Sequence, residues 1–399
     1  MPIARGIAEK LGRASWIRRM FEEGMRLKAE RGAENVFDFT LGNPEVEPPA
    51  LTLDTLRRTV ERSPPGVHGY MPNPGFPQVR AVIAEKLRRE TGLPFSAEHV
   101  CMTTGAASAC NVILKSILDP GDEVILLAPF FAEYPFYVSN HGGRVIVVET
   151  DQDCLPDVDA IARAITECTR AIILNTPNNP SGRVYPARLL DDLEAMLARL
   201  PQRPLVISDE PYRELVYDGQ KQTPVAAAIA HTAICYSWSK AQALAGERIG
   251  FLALSPRLPD LPQLLSACAF AIRTLGFVNA PALWQRVMAE AADACVDVAA
   301  YQKKRDVLCD GLGRAGFELR KPEGGYYVFF QSPIPDDVAF VGKLLEQGVL
   351  AVAGVGFGRR GFLRLSITAP MDTIERSLPA FERALRAVRG IAYSYPSKT

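Results

Sequence analysis

Between about residues 51 and 275, short apolar runs alternate with amphipathic segments, and this alternation restricts the fold more than any other property of the chain. Strands are predicted at 100–103, 123–128, 144–149, 171–175, 205–208, 233–236 and 249–254, with helices at 106–118, 131–140, 158–166 and 187–199. A strand that is apolar along its whole length needs cover on both faces, and an intervening helix carries the chain back to begin the next strand in parallel. The pattern predicts an α/β domain: a mostly parallel sheet with helices on both faces. From about 276 longer helices dominate, at 282–316 (broken), 336–347 and 372–389, around strands at 326–331, 349–353 and 362–367. That half suits a smaller α+β domain. Ahead of the sheet, Trp16, Ile17, Met20, Phe21 and Leu27 fall at helical spacing within 16–31, and Val36 to Leu41 reads as a short strand. The expected division is 1–50 as an N-terminal arm and part of the small domain, 51–275 as the large domain and 276–399 as the small one, with the tail 391–399 disordered.

Charge and cysteine usage remove several function classes. Lys plus Arg and Asp plus Glu both total 45, so no net field draws the chain to nucleic acid or to an anionic membrane. No apolar run is long enough to cross a bilayer, and the N-terminus lacks the apolar block of a secretory signal. The eight cysteines are scattered without a C-x-x-C pair, which suits buried free thiols in a reducing, cytoplasmic setting. The four histidines, at 68, 99, 141 and 231, show no H-x-x-x-H spacing, and no metal site is predicted. Gly356 to Gly361 fits G-x-G-x-x-G, but the residues after it read as a strand, whereas a dinucleotide site needs a helix there.

The unusual polar residues lie just past the predicted strand ends, where open α/β sheets bind ligands. Gly105, Ala106 and Ala107 follow the strand at 100–103 and open a helix, so small residues would let an anion approach free backbone N–H groups. Phe131 follows the strand at 123–128 and could stack on a heteroaromatic ring; an aromatic at a strand end also suits plain core packing. Asn179-Pro180 follows the strand at 171–175, as a turn or a cis peptide. Asp209 ends an apolar run, where a carboxylate needs a cation or a donor, a protonated ring nitrogen or a helix cap being alternatives. Ser237, Ser239, Lys240 and Arg248 follow the strand at 233–236. An amine can condense with an aldehyde, and two hydroxyls with a guanidinium can hold a phosphate, although a lone Ser-x-Ser-Lys also suits a solvated turn.

Taken together, Asn179-Pro180-Ser181-Gly182, Asp209-x-x-Tyr212 and Ser237-x-Ser239-Lys240 with Arg248 resemble the class I/II aminotransferases of the fold type I pyridoxal-phosphate enzymes, nearly end to end from Leu41-Gly42-Asn43-Pro44 and Gly69-Tyr70 to Arg364-Leu365-Ser366. The resemblance implies pyridoxal 5′-phosphate as cofactor and a ping-pong transfer of an amino group between an L-amino acid and a 2-oxo acid. Lys240 would join the cofactor aldehyde covalently and later move the proton, Asp209 would pair with the ring nitrogen, and Tyr212 and Asn179 would hold the ring oxygen. Phe131 would stack on the ring; Gly105, Ala106, Ala107, Ser237, Ser239 and Arg248 would hold the phosphate, joined by Tyr70 from the neighbouring subunit of a homodimer. Arg364 would bind the substrate carboxylate, with Gly42 and Asn179 beside it. Some members read a distal carboxylate through a lysine, which here would fall at Ala107, or through an arginine of the partner subunit, for which Arg273 is the nearest counterpart. Related folds use the same cofactor for β-elimination, C–S cleavage or decarboxylation, which release product without consuming a 2-oxo acid. A ligand-sensing DNA-binding regulator is disfavoured by the small segment ahead of the sheet and the absence of a basic surplus.

Overall fold

The structure, a computed structural model, describes residues 3–13, 15–62 and 65–390. Among the described residues the strands in chain order are β1 (Phe37–Asp38), β2 (Val100–Thr103), β3 (Glu123–Ala128), β4 (Arg144–Glu149), β5 (Thr169–Asn175), β6 (Leu205–Asp209), β7 (Thr232–Ser237), β8 (Gly250–Leu254), β9 (Tyr327–Gln331), β10 (Val349–Leu350), β11 (Val352–Ala353) and β12 (Phe362–Ser366). Seven of them form one sheet in the order β2-β8-β7-β6-β5-β3-β4. Only β8 runs against the others, so the carboxyl ends of the remaining six share one edge.

Alternate residues of these strands supply the two faces. Val124, Leu126, Ile173 and Ile207 pack beneath helices Ala106–Ile117 and Leu261–Thr274. Ile125, Leu127, Ile172 and Val206 face the helix Ala187–Leu197 on the other side. Burial on both faces is what an uninterrupted apolar strand requires, and it makes the sheet rigid enough to hold side chains at its edge.

A second core gathers around the antiparallel sheet β11-β12-β9 and the helices Val298–Ala315 and Met371–Arg389. The arm joins it: β1 pairs in parallel with β10, and Ser366 N donates to Phe39 O at 2.9 Å. This contact brings Thr40, Leu41 and Gly42 beside β12.

The mostly parallel sheet covered by helices and the smaller antiparallel sheet are the expected architecture. Several elements differ in detail. The helix expected at 131–140 starts at Tyr134, with Pro135 in its first turn, so Phe131 sits in the preceding turn. The strand expected at 349–353 splits at Ala351, because β10 pairs with the arm and β11 with β12. The helix at 282–316 breaks into Ala282–Ala291 and Val298–Ala315. Helices Ala50–Glu61, Pro77–Thr91 and Leu261–Thr274 add to those expected. The arm helix runs Ser15–Arg31, while the side chains of Trp16, Ile17, Met20 and Phe21 and the tail 391–399 lie outside the described residues. All eight cysteines are free, and no described helix is long and apolar enough to cross a membrane.

Candidate active site

The shared strand edge opens into a cavity of about 210 Å³. Its walls include Ala106 and Ala107 after β2, Phe131 after β3, Asn175 and Asn179 from β5 and the turn beyond it, and Asp209 and Tyr212 from β6 and its turn. Ser237 ends β7, Ser239 and Lys240 lie on the short helix Trp238–Ala241, Arg248 follows it, and Tyr327 comes from β9. The strand register explains the convergence: Asn175 lies opposite Asp209, and both Thr103 and Ser237 lie opposite Gly250.

One end of the cavity is an anion cradle. Gly105, at φ +97°, caps the helix Ala106–Ile117 and leaves that helix's first N–H groups free. A β-carbon on Gly105 would stand 3.1 Å from Arg248 Nη2 and 3.5 Å from Ser237 Oγ, so the guanidinium, a hydroxyl and the helix end crowd one spot. The Ser237 and Ser239 hydroxyls are 2.7 Å apart. Gly250 carries no side chain because a β-carbon there would come within 2.8 Å of Gly105 Cα.

Asp209 also lines the cavity. Its Oδ2 accepts from Tyr134 Oη at 2.5 Å, and its backbone oxygen accepts from Asn175 Nδ2 at 2.8 Å. Oδ1 is buried with no donor among the described residues. Burial pushes the carboxyl up to about 7, against the lowering effect of the Tyr134 bond. An acceptor this costly to leave unsatisfied fits a protonated ring nitrogen, which brings both a proton and a positive charge. The same cavity holds the anion cradle and an amine, so the donor set fits a pyridoxal phosphate.

Lys240 is that amine. Its Nζ donates to Gly42 O at 2.6 Å and lies 5.5 Å from the centre of the Tyr326 ring. Burial, aided by the positive charges of Arg248 and Arg364, holds it below the ordinary lysine value, although Tyr327 pulls the other way. The shift enlarges the neutral fraction, the form that can attack a carbonyl or take a proton.

Arg364, Gly42 and Gly105 stand just behind the cavity wall. The Arg364 guanidinium donates to Thr40 O at 2.6 Å and to Asn179 Oδ1 at 3.3 Å, and its buried Nε has no acceptor among the described residues. A β-carbon on Gly42 would overlap the Tyr327 hydroxyl. Tyr70 is 93% exposed and borders a separate surface hollow with Met71 and Asn279. Arg273 is exposed on its helix, 5.4 Å over the Phe270 ring, and does not line the cavity. Among the described residues no group of three or more His, Cys, Asp or Glu is placed to hold a metal.

Three residues of the site escape a reading by sequence. Tyr134 stands one turn past Phe131, and a hydroxyl-bearing aromatic so near a strand end was the available signal. Asn175 also bonds Asn179 N, at 2.6 Å, and so ties the turn after β5 to Asp209. Tyr327 comes from the other sheet. Replacing Tyr134 by phenylalanine removes the one side-chain donor to the Asp209 carboxylate among the described residues, and pyridoxal phosphate affinity, titrated on cofactor-free protein, is expected to fall about tenfold or more, the cost of one unmade hydrogen bond to a buried charge.

Residues 34–381 match the aminotransferase class I and II family. The aspartate/prephenate aminotransferase of Thermus thermophilus is 36% identical over 372 residues, 90% of this chain and 93% of that protein. A probable aspartate aminotransferase of Methanocaldococcus jannaschii is 29% identical over 356 residues, 85% of this chain and 90% of that protein. Among solved structures, an amino transferase from Eubacterium rectale superposes with a TM-score of 0.94 at 37% identity, covering 97% of this chain and 99% of its own. The Thermus thermophilus aspartate aminotransferase with maleate gives a TM-score of 0.83 at 31% identity, covering 93% and 96%. Sequence, fold and cavity agree: this chain belongs to the class I and II aminotransferases, pyridoxal 5′-phosphate-dependent transferases of fold type I.

Proposed function

We propose that Lys240 is the residue that carries the cofactor and shuttles the proton in a ping-pong transfer between an L-amino acid and a 2-oxo acid. The observation that carries this reading is one cavity holding the partly buried Lys240 amine, the unsatisfied Asp209 Oδ1 and the Arg248–Ser237 cradle. The cofactor, when bound, supplies an aldehyde and an electron-withdrawing ring. Asp209 would keep the ring nitrogen protonated, and Tyr212 and Asn179 would donate to the ring oxygen. Phe131 covers a ring face. Gly105, Ala106, Ala107, Ser237, Ser239 and Arg248 bind the phosphate. Arg364, already anchored through Thr40 and Asn179, turns its remaining N–H groups to the substrate α-carboxylate, with Gly42 allowing the close approach. Lys240 would also serve as the base that takes the substrate α-proton and hands it on within the cavity.

The active unit in this reading is a cytoplasmic homodimer, with 51–275 as the large domain, 276–399 as the small one and the arm 1–50 contributing to the latter. Tyr70 extends toward the partner's phosphate site, in keeping with its 93% exposure. Asn279 Nδ2 donates to Pro72 O at 3.2 Å, linking the Tyr70 loop to the stretch that begins near Arg273. Arg273 is therefore the candidate reader of an acidic side chain in the partner's site, and aspartate, which the relatives' names carry, is the donor to compare with alanine and an aromatic amino acid. Free cysteines accord with a reducing compartment.

The test is a half-reaction. Holoenzyme mixed with single amino acids is expected to lose the aldehyde-form absorbance, yield a 2-oxo acid, and recover the absorbance only when a second 2-oxo acid is added. Turnover that releases ammonia without a 2-oxo acceptor would replace this reading with a lyase.

A further inference from the structure

We infer that Glu210 and Arg213 are positioning residues that lock the turn after β6 from behind and so hold Asp209 and Tyr212 at the cavity; this rests on the roles proposed above for those two residues. The turn has two faces. Asp209 and Tyr212 line the cavity, whereas Glu210 and Arg213, one step further along at the same spacing, bond to each other and to groups outside it. Backbone bonds alone tie the turn loosely. Glu210 N still bonds Cys235 O on β7 at 2.9 Å, but beyond it Arg213 N reaches Glu210 O only at 3.3 Å, and Leu215 N meets Tyr212 O at 2.8 Å.

Side chains close what the backbone leaves open. Glu210 is 1% exposed, and one of its carboxylate oxygens accepts from Ser208 Oγ at 2.5 Å while the other accepts from Arg213 Nε at 2.7 Å. The result is a ring of charge-assisted bonds from Ser208 to Arg213 that spans both Asp209 and Tyr212. The guanidinium then extends outward. Its Nη1 donates to Glu90 Oε2 on the helix Pro77–Thr91 at 2.5 Å, and its carbon lies 5.2 Å from the centre of the Tyr236 ring on β7. The Tyr236 hydroxyl donates to Glu214 Oε1 at 2.8 Å, and Lys86 Nζ stands 2.8 Å from Glu90 and 3.6 Å from Glu214. One helix thereby fastens both β7, which leads to Lys240, and the turn that carries Asp209 and Tyr212.

Burying these charges costs solvation that an apolar contact would not, so stability alone does not account for them. What they supply is direction. A planar fork bridging two carboxylates fixes where the turn sits, whereas a lysine at 213 would neutralise Glu210 as a point charge without bridging to Glu90. Chemistry at the cavity is sensitive to such placement, since a displacement of about 1 Å can cost about 10²-fold in rate.

The test compares Arg213→Lys, Glu210→Gln and Lys86→Met with the wild type for turnover, for pyridoxal phosphate affinity titrated on cofactor-free protein, and for melting temperature. Arg213→Lys and Glu210→Gln both open the ring, and each is expected to lower kcat by about 10²-fold and cofactor affinity by about tenfold. KM for the amino acid is not expected to rise, because Arg364 stands on β12, outside the turn. Arg213→Lys keeps the charge while Glu210→Gln removes one, so a mere field effect on Asp209 would appear only in the second. Lys86→Met breaks the pairing with Glu90 and leaves the ring intact; it should lower the melting temperature and keep wild-type kcat. Wild-type kcat and cofactor affinity in the folded fraction of either ring variant would overturn the inference, as would a loss in Lys86→Met equal to theirs. Should Arg213→Lys fail to fold, Glu210→Gln, which leaves Arg213 paired with Glu90, decides alone. Borohydride labelling of the wild type separates the two failures: an unlabelled Lys240 overturns the reading of the site, whereas a labelled Lys240 with unaltered ring variants overturns only the lock.

Discussion

Lys240→Ala is expected to lower turnover by about 10⁴-fold or more, because in the proposed reading it removes both the covalent anchor and the group that moves the proton. Stability should change little by comparison. Among the described residues the Lys240 side chain makes one hydrogen bond, to Gly42 O, and its burial already disfavours the charged form. Thermal melts that match the wild type, alongside lost turnover, distinguish a missing chemical group from a disturbed fold. Supplied methylamine should restore part of the proton transfer if the cavity stays open after the side chain is removed.

Asp209→Asn is the second large effect, an expected loss of about 10³-fold in turnover, in the range seen when a buried electrostatic contact to developing charge is removed. Asparagine keeps the shape but cannot balance a cationic ring nitrogen. The same residue gives a pH dependence that can be read without the cofactor. Burial raises the folded-state carboxyl from 3.8 to about 7, so between those values the folded protein holds a proton that the unfolded chain has released. Folding stability of the cofactor-free protein therefore carries a contribution that is complete at acid pH and is lost as pH rises through about 7. The contribution is of order a few kcal/mol. Melts of cofactor-free wild type from pH 5 to 8, minus those of Asp209→Asn, are expected to show a difference that declines with rising pH. If Asp209 pairs with the ring nitrogen as proposed, loading with pyridoxal phosphate should remove that slope; a slope unchanged by loading would contradict the pairing.

Much of this was legible along the chain. The apolar runs ending at Thr103, Ala128, Asn175, Asp209 and Ser237 locate the sheet, and the polar residues beyond them do line one cavity, because strand ends aligned by parallel pairing must share an edge. Periodicity could not reveal that β8 runs antiparallel, since Gly250 to Leu254 is buried on both faces whichever way it points. Nor could it split 349–353 between two sheets, a matter of pairing partners far away in sequence. Tyr134 and Tyr327 escaped notice for the same reason. Tyr134 bonds Asp209 on another element and Tyr327 lies against the Arg364 guanidinium of the neighbouring strand, and such contacts leave no spacing in the sequence.

The central assignment is a bond between the Lys240 ε-nitrogen and the cofactor aldehyde. Borohydride reduction of the holoenzyme followed by proteolysis and mass mapping measures that bond directly. The expected result is a phosphopyridoxyl group on the peptide containing Lys240 and on no other. An unmodified Lys240 in protein saturated with pyridoxal phosphate would contradict it.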